Sequence, residues 1–349
     1  METLTSIDWY RIWLNTTYGL TILVFLRLLI QPKAIQVATF VMIGLGLGIV
    51  LFFVSEPIAL YSDKWVYQAG FEAINVYREN EFSDYGFYLL NQFIGALSDS
   101  SEFFFLVVSC LYVSGYFIFI KKYFNEKHQF VVFLLTIVSL GFYGYGTNTI
   151  RQGIALSFFL IALANDKTKI RFILLATVAV LFHRSLLVPV LFYLLISILP
   201  SKINYLYFWI GCLVLTIAVS GIGLILGFYL VDGDARISEY LIGENESYKA
   251  GFKWNFLIYS IAPIVYGKYV LKKFNEPIYL KIFNLYLLVN AVWLLIIRLP
   301  FTDRFAYMSW VLMPFIFIYP LSKQKIFNHQ NWIIAIILFV FATLNFLIS

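Results

Sequence analysis

Charged side chains are scarce in this sequence. Only 13% of its 349 residues are Asp, Glu, Lys or Arg, while 61% are hydrophobic. A soluble globular chain carries about a quarter charged residues, so a soluble domain is not expected anywhere along residues 1–349. Cysteine is nearly absent. Cys110 and Cys212 both sit inside apolar runs, which argues against a disulfide framework or a cysteine metal site. The three histidines, His128, His183 and His329, lie far apart, so clustered-imidazole metal chemistry has little to work with. An oxygen-ligand site for a hard cation stays open. No P-loop, dinucleotide fingerprint, Gly-x-Ser-x-Gly elbow or His-Glu-x-x-His motif occurs. Nucleotide-driven work is therefore unsupported, and no cofactor, metal or nucleic-acid partner is expected.

Apolar runs that approach the roughly 20 residues needed to cross a bilayer are abundant, and mean hydropathy is +0.84. The short alternating strands of an outer-membrane barrel are absent. The start, "METLTSIDWYRIW", lacks the basic-then-apolar order of a cleaved signal peptide, so the first span is expected to stay. The pattern predicts an all-α polytopic membrane protein forming one integral domain. About twelve spans are expected, near 14–31, 34–54, 103–120, 129–145, 149–165, 170–183, 186–200, 203–229, 254–271, 279–297, 305–321 and 331–348. The longest connections are 55–102 and 230–253.

Fifteen of the 25 basic residues fall on one side of this layout, which places that side in the cytoplasm and both long connections outside. The cytoplasmic set is 13 Lys and 2 Arg. The outer set is 7 Arg (Arg11, Arg78, Arg151, Arg184, Arg236, Arg298, Arg304) and 3 Lys. Lysine alone would satisfy topology. Arginine adds a planar fork that grips phosphate bidentately and stays charged when partly desolvated. Sixteen of the 19 acidic residues also lie outside, so some outer arginines will simply pair with Asp or Glu.

Three stretches concentrate polar chemistry at the outer rim. In "YGYGTNTIRQG" (143–153), Arg151 and Gln152 open an apolar run about one turn in. An ionisable group at that depth needs water or a partner. The preceding Gly-Tyr-Gly favours a broken helix, and a helix start at Asn148 or Thr149 beside Arg151 would suit an anion. In "LFHRSLL" (181–187), His183, Arg184 and Ser185 emerge at the same level, one helical hairpin later. A histidine there can donate to a diphosphate or move a proton. In "IIRLPFTDRFAYMSW" (296–310), Arg298 and Arg304 bracket a Pro turn with Asp303 alongside. Each stretch has a plainer reading: snorkelling for Arg151, packing for His183, and a local Asp303–Arg304 ion pair.

The connection 55–102 interleaves carboxylates with aromatic rings, a composition suited to sugars, and 81–98 reads as an amphipathic helix lying in the interface. An aromatic belt would explain many of the rings. Asp84, Tyr67, Tyr145 and Asn148 are candidate glycan contacts. Loop 230–253 is long enough for a lid, but nothing in it identifies chemistry.

"NTIRQGIALSFFLIALA" followed about 30 residues later by "LFHRSLL" resembles the EpsG family of polysaccharide-biosynthesis proteins, which is similar to Wzy-type O-antigen and capsule polymerases. The outer "YSDKWVY" and "DYGFYLLNQFIGAL" and the late "RLPFTDRFAYMSWVLMPFIF" also fit. Leu186 departs from the Ala often found there. The resemblance implies a GT-C-like, metal-independent glycosyltransferase of the bacterial inner membrane. Such an enzyme joins undecaprenyl-diphosphate-linked oligosaccharides at the periplasmic face, and a chain-length regulator is a possible partner. Arg151 carries over as a diphosphate ligand with His183 beside it. Gln152, Arg184, Arg298 and Arg304 are further candidate diphosphate ligands by placement. His183, Asp63 and Asp303 are candidate bases for the acceptor hydroxyl. An O-antigen ligase shares this logic, and a lipid-linked glycan flippase is a more distant alternative.

Overall fold

The computed structural model describes residues 5–60, 62–77, 84–199, 203–219, 251–299 and 302–348. Among these there are sixteen α-helices and no strand, as the composition requires. Without water in the hydrocarbon, a span must satisfy its own backbone, and the helix does so locally. In chain order they are α1 (Ser6–Ile30), α2 (Thr39–Val54), α3 (Asp63–Tyr77), α4 (Tyr85–Gly95), α5 (Ser101–Tyr123), α6 (Glu126–Ile137), α7 (Phe142–Thr147) and α8 (Ile150–Ala164). Then come α9 (Lys169–Phe182), a 3-10 turn (Arg184–Leu186), α10 (Leu187–Ile198), α11 (Leu206–Ala218), α12 (Trp254–Leu271), α13 (Pro277–Leu295), α14 (Asp303–Trp310), α15 (Met313–Lys323) and α16 (Gln330–Ile348).

Among the described residues five segments are long and apolar enough to cross a membrane: Ser6–Ile30, Ser101–Tyr123, Pro277–Leu295, Asp303–Lys323 and Gln330–Ile348. Shorter apolar helices, including α2, α8 and α11, accompany them. Two expected spans are broken. The segment 129–145 divides into α6 and α7 at Gly141, whose φ of 89° is left-handed and free of strain only for glycine. The segment 305–321 divides into α14 and α15 just before Pro314, which cannot donate to the preceding turn. Residues 220–250, with most of the second outer loop and the end of the expected 203–229 span, lie outside the described residues. So do 78–83 of the first loop.

The described residues fall into two compact units. One takes in those of Met1–Leu187 and Phe327–Leu347, the other those of Val188–Ile326. In the first, Ser100 caps α5 by accepting from the Phe103 N–H (3.2 Å), and Lys121 and Lys122 occupy its last turn, the arrangement favoured by the helix dipole. Gly115 of α5 lets α8 approach so closely that a Cβ would stand 2.6 Å from the Ser157 Cα. Trp13, Phe53, Tyr112, Phe142 and Tyr143 form a ring cluster between α1, α2, α5 and α7.

The second unit is organised on a buried polar knot. Asn290 of α13 accepts from the Trp209 indole N–H (2.8 Å) and donates to the hydroxyls of Ser260 (3.1 Å) and Ser309 (3.0 Å). Trp310 also donates to Ser260 (2.8 Å), so α11, α12, α13 and α14 share one network. Interhelical hydrogen bonds in membranes are worth about 0.6–2 kcal/mol each, and Asn290→Leu strands several polar groups at once. We expect a loss of about 2 kcal/mol in this variant, read as a lower thermal midpoint in detergent. An unchanged midpoint would show that the knot contributes nothing.

Candidate functional site

Helix α8 spans 15 residues, so at 1.5 Å per residue it is about 22 Å long, short of the roughly 30 Å hydrocarbon thickness. Its start follows directly on α7, across the break at Asn148 and Thr149. Asn148 is exposed there. Thr149 is the N-cap residue but makes no capping hydrogen bond, because its hydroxyl turns back to the Gly144 carbonyl (3.3 Å). The broken helix expected from Gly-Tyr-Gly is present. Gly153 is needed one step in, since any Cβ there would collide with the Tyr145 carbonyl oxygen.

Arg151, in the first turn of α8, donates through Nη1 to the Asp84 carboxylate at 2.6 Å. Asp84 stands at the N-cap position of α4 but makes no side-chain cap; it reaches across instead. It also accepts from the Arg184 backbone N–H, so one carboxylate ties the Arg-Gln motif to the Phe-His-Arg-Ser motif. This reach depends on Gly86, whose Cβ would come within 2.9 Å of the Leu181 carbonyl carbon at the end of α9. Asp84 is 6% exposed, and burial raises its carboxyl above the usual range despite the pull of Arg151 and Arg184. The Arg151 side chain keeps 28% of its surface, with the Tyr67 ring 6.0 Å from its guanidinium carbon.

The second half of the cluster is a short relay. Gln152, 4% exposed, donates through Nε2 to the Ser185 hydroxyl at 3.1 Å. The Ser185 oxygen lies 2.7 Å from His183 Nδ1, which also accepts the Ser185 backbone N–H at 3.3 Å. That backbone donor makes Nδ1 the acceptor, so neutral His183 carries its proton on Nε2 and Ser185 donates to Nδ1. His183 ends α9 with extended backbone (φ −162°), which turns its ring toward the 3-10 turn.

The structure thus brings together Arg151, Gln152, His183, Arg184, Asp84 and Tyr67. Of the candidate glycan contacts, Asp84 is buried as the partner of Arg151, and Tyr145, at 2% exposure, lies in the core. Tyr67 is likewise buried, beneath the guanidinium. Asp63, the first residue of α3, is exposed. Sequence reasoning missed the role of Asp84 and the linking role of Ser185.

The other unit carries its own basic group. The Arg298 guanidinium lies over the Phe252 ring at 5.2 Å, and its backbone carbonyl accepts from Gly251 N–H at 3.1 Å. Burial lowers the Lys253 ammonium against the pull of the Asp303 carboxylate. Asp303 accepts from the Tyr307 hydroxyl at 3.1 Å, and Arg304 is half-buried beside it in α14. Among the described residues no group of three or more His, Cys, Asp or Glu is gathered as for a metal ion.

The described residues are helical, with five apolar segments of spanning length and a charged, partly buried cluster at the start of a broken helix, which is the pattern of a polytopic membrane protein. The chain belongs to the EpsG family, whose model matches residues 47–349. That membership ties it to polysaccharide biosynthesis. Curated proteins and solved structures yield no match.

Proposed function

We propose that this protein is a GT-C-like glycosyltransferase of about twelve passes in the bacterial inner membrane. It joins undecaprenyl-diphosphate-linked oligosaccharide repeat units into a polysaccharide at the periplasmic face. The observation that carries the reading is the convergence of Arg151, Gln152, Ser185 and His183 on one short-range network backed by Asp84. In the reaction the anomeric carbon–oxygen bond to the diphosphate breaks as an acceptor hydroxyl bonds to that carbon. Negative charge collects on the departing lipid diphosphate, and Arg151 neutralises it there, with Arg184 as a further ligand. Catalysis by placed charge needs no metal. His183 is the candidate base through Ser185, whose hydroxyl passes its proton to Nδ1 as it takes the acceptor's; Asp63 is another candidate. Asp84 positions Arg151 rather than contacting sugar.

The test is a chromosomal deletion scored on a surface-polysaccharide gel. The reading expects the ladder to collapse to a single repeat unit and to return with the wild-type gene. Loss of even the single-unit band would point to ligation or flipping instead. A subtler variant probes the geometry: Gly86→Ala pushes α4 off α9, and we expect polymer to fall about tenfold at matched protein level. The control is Gly211→Ala, where a Cβ meets nothing within 4 Å and the ladder should be unchanged. Equal ladders from both variants would remove Asp84 from the account.

A further inference from the structure

We propose that Lys64 is a positioning residue of this site: by gripping the end of α2 it fixes α3 so that Tyr67 lies beneath Arg151. The proposal rests on the reading of Arg151 given above.

Helix α2 ends at Val54, and its last carbonyls have no partner within the helix. Lys64 supplies one. Its ammonium donates to the carbonyls of Phe53 (2.8 Å), Val54 (3.2 Å) and Glu56 (2.7 Å), three donors for three acceptors. The side chain is 3% exposed and lies 5.0 Å from the centre of the Phe105 ring of α5. The Glu56 carboxylate stands 4.0 Å away; its Oε1 accepts from the Tyr143 hydroxyl (2.7 Å), and its Oε2 is buried with no hydrogen-bond partner among the described residues. A buried ion pair that leaves one oxygen unsatisfied is costly to keep, and an apolar side chain could fill the space.

The position of this pair gives it a use. Three residues along the same face of α3 is Tyr67, under the Arg151 guanidinium. Tyr143 belongs to α7, the short helix that leads straight into α8 and Arg151. Both sides of the Tyr67–Arg151 contact are therefore referenced to one point: α3 through Lys64, and α7–α8 through Glu56. Apolar packing would allow α3 to slide, whereas three directed hydrogen bonds set its register.

The same burial makes the grip sensitive to pH. Desolvation pushes the Lys64 ammonium down to about 8, against the opposing charge of Glu56. Burial raises Glu56, ahead of the Tyr143 hydrogen bond and the Lys64 charge. Tyr10 of α1 is a further titratable group here, its ring 5.0 Å from that of Tyr143. Between about 8 and the ordinary lysine value of 10.5, any state that frees Lys64 to water binds more protons than the folded one, so local opening of α3 and global unfolding both become harder as pH rises.

The experiment uses the full chain in nanodiscs, as wild type, Lys64→Met and Lys64→Arg. It records hydrogen–deuterium exchange over residues 63–77, corrected for intrinsic rates, and binding of undecaprenyl diphosphate, at pH 6.5 to 9.5. We expect Lys64→Met to exchange faster there and to bind about tenfold more weakly than wild type at the same pH. Wild-type exchange should slow as pH rises above about 8, and Lys64→Arg, which keeps its charge, should lack that slowing. Exchange that is unchanged in Lys64→Met, or a slowing that persists in Lys64→Arg, overturns the proposal. Should Lys64→Met fail to fold, the pH series of wild type and Lys64→Arg decides. Wild type that binds no lipid diphosphate but shows the predicted exchange would sink the proposed function and leave the anchor standing.

Discussion

Replacing Arg151 by alanine is expected to abolish the polymer ladder, lowering turnover by about 10²–10³-fold, the usual cost of removing one group that meets developing charge. The argument rests on position and partner together. Arg151 opens a helix too short to cover the bilayer, with its head part-exposed and one edge held by Asp84. An arginine serving only to anchor the helix would need no buried carboxylate fixing its direction. Arg151→Lys keeps the charge but loses the planar fork, so a loss of about 10- to 100-fold is expected, and measured turnover with purified protein checks it. Because alanine also strands the Asp84 carboxylate, folded yield must be matched before activity is compared.

The second large effect is expected at Asp84. Asp84→Ala leaves the Arg151 cation beside a buried surface with no counter-charge. Removing one partner of a buried pair costs up to about 3–5 kcal/mol, less here because Arg151 keeps access to water. Activity should drop about tenfold or more as the guanidinium loses its orientation. The double variant Asp84→Ala/Arg151→Ala separates the two roles. If Asp84 works through Arg151, the double variant is no less active than Arg151→Ala alone. It should also be recovered in higher folded yield than either single variant, since no unpaired charge remains. Additive losses of activity would mean that Asp84 touches substrate itself.

Much of this architecture could be read from residue order. Helix boundaries at Ser101–Tyr123, Trp254–Leu271, Pro277–Leu295 and Gln330–Ile348 sit within a few residues of the apolar runs, because caps, Pro at N1 and terminal lysines mark them locally. The meeting of "IRQG" with "FHRS" was also legible, since one hairpin of α8 and α9 returns the chain to the same membrane level. Long-range pairing was not. Asp84 lies 67 positions from Arg151, and its carboxylate could equally have met sugar, water or another outer arginine. Only the close approach of α4 to α9 at Gly86 decides between them. Tyr145 reads like any rim aromatic until α8 packs across it. Lys64 reads as a topology charge until its three carbonyl partners are seen.

The most direct measurement is elongation by the purified full chain in nanodiscs supplied with undecaprenyl-diphosphate-linked repeat units and no nucleotide sugar. The account predicts lipid-linked products growing by whole repeat units with wild type, and growth slowed about 10- to 100-fold with Arg151→Lys at equal protein. Wild type that leaves the substrate at one unit, or Arg151→Lys that elongates at the wild-type rate, would contradict it.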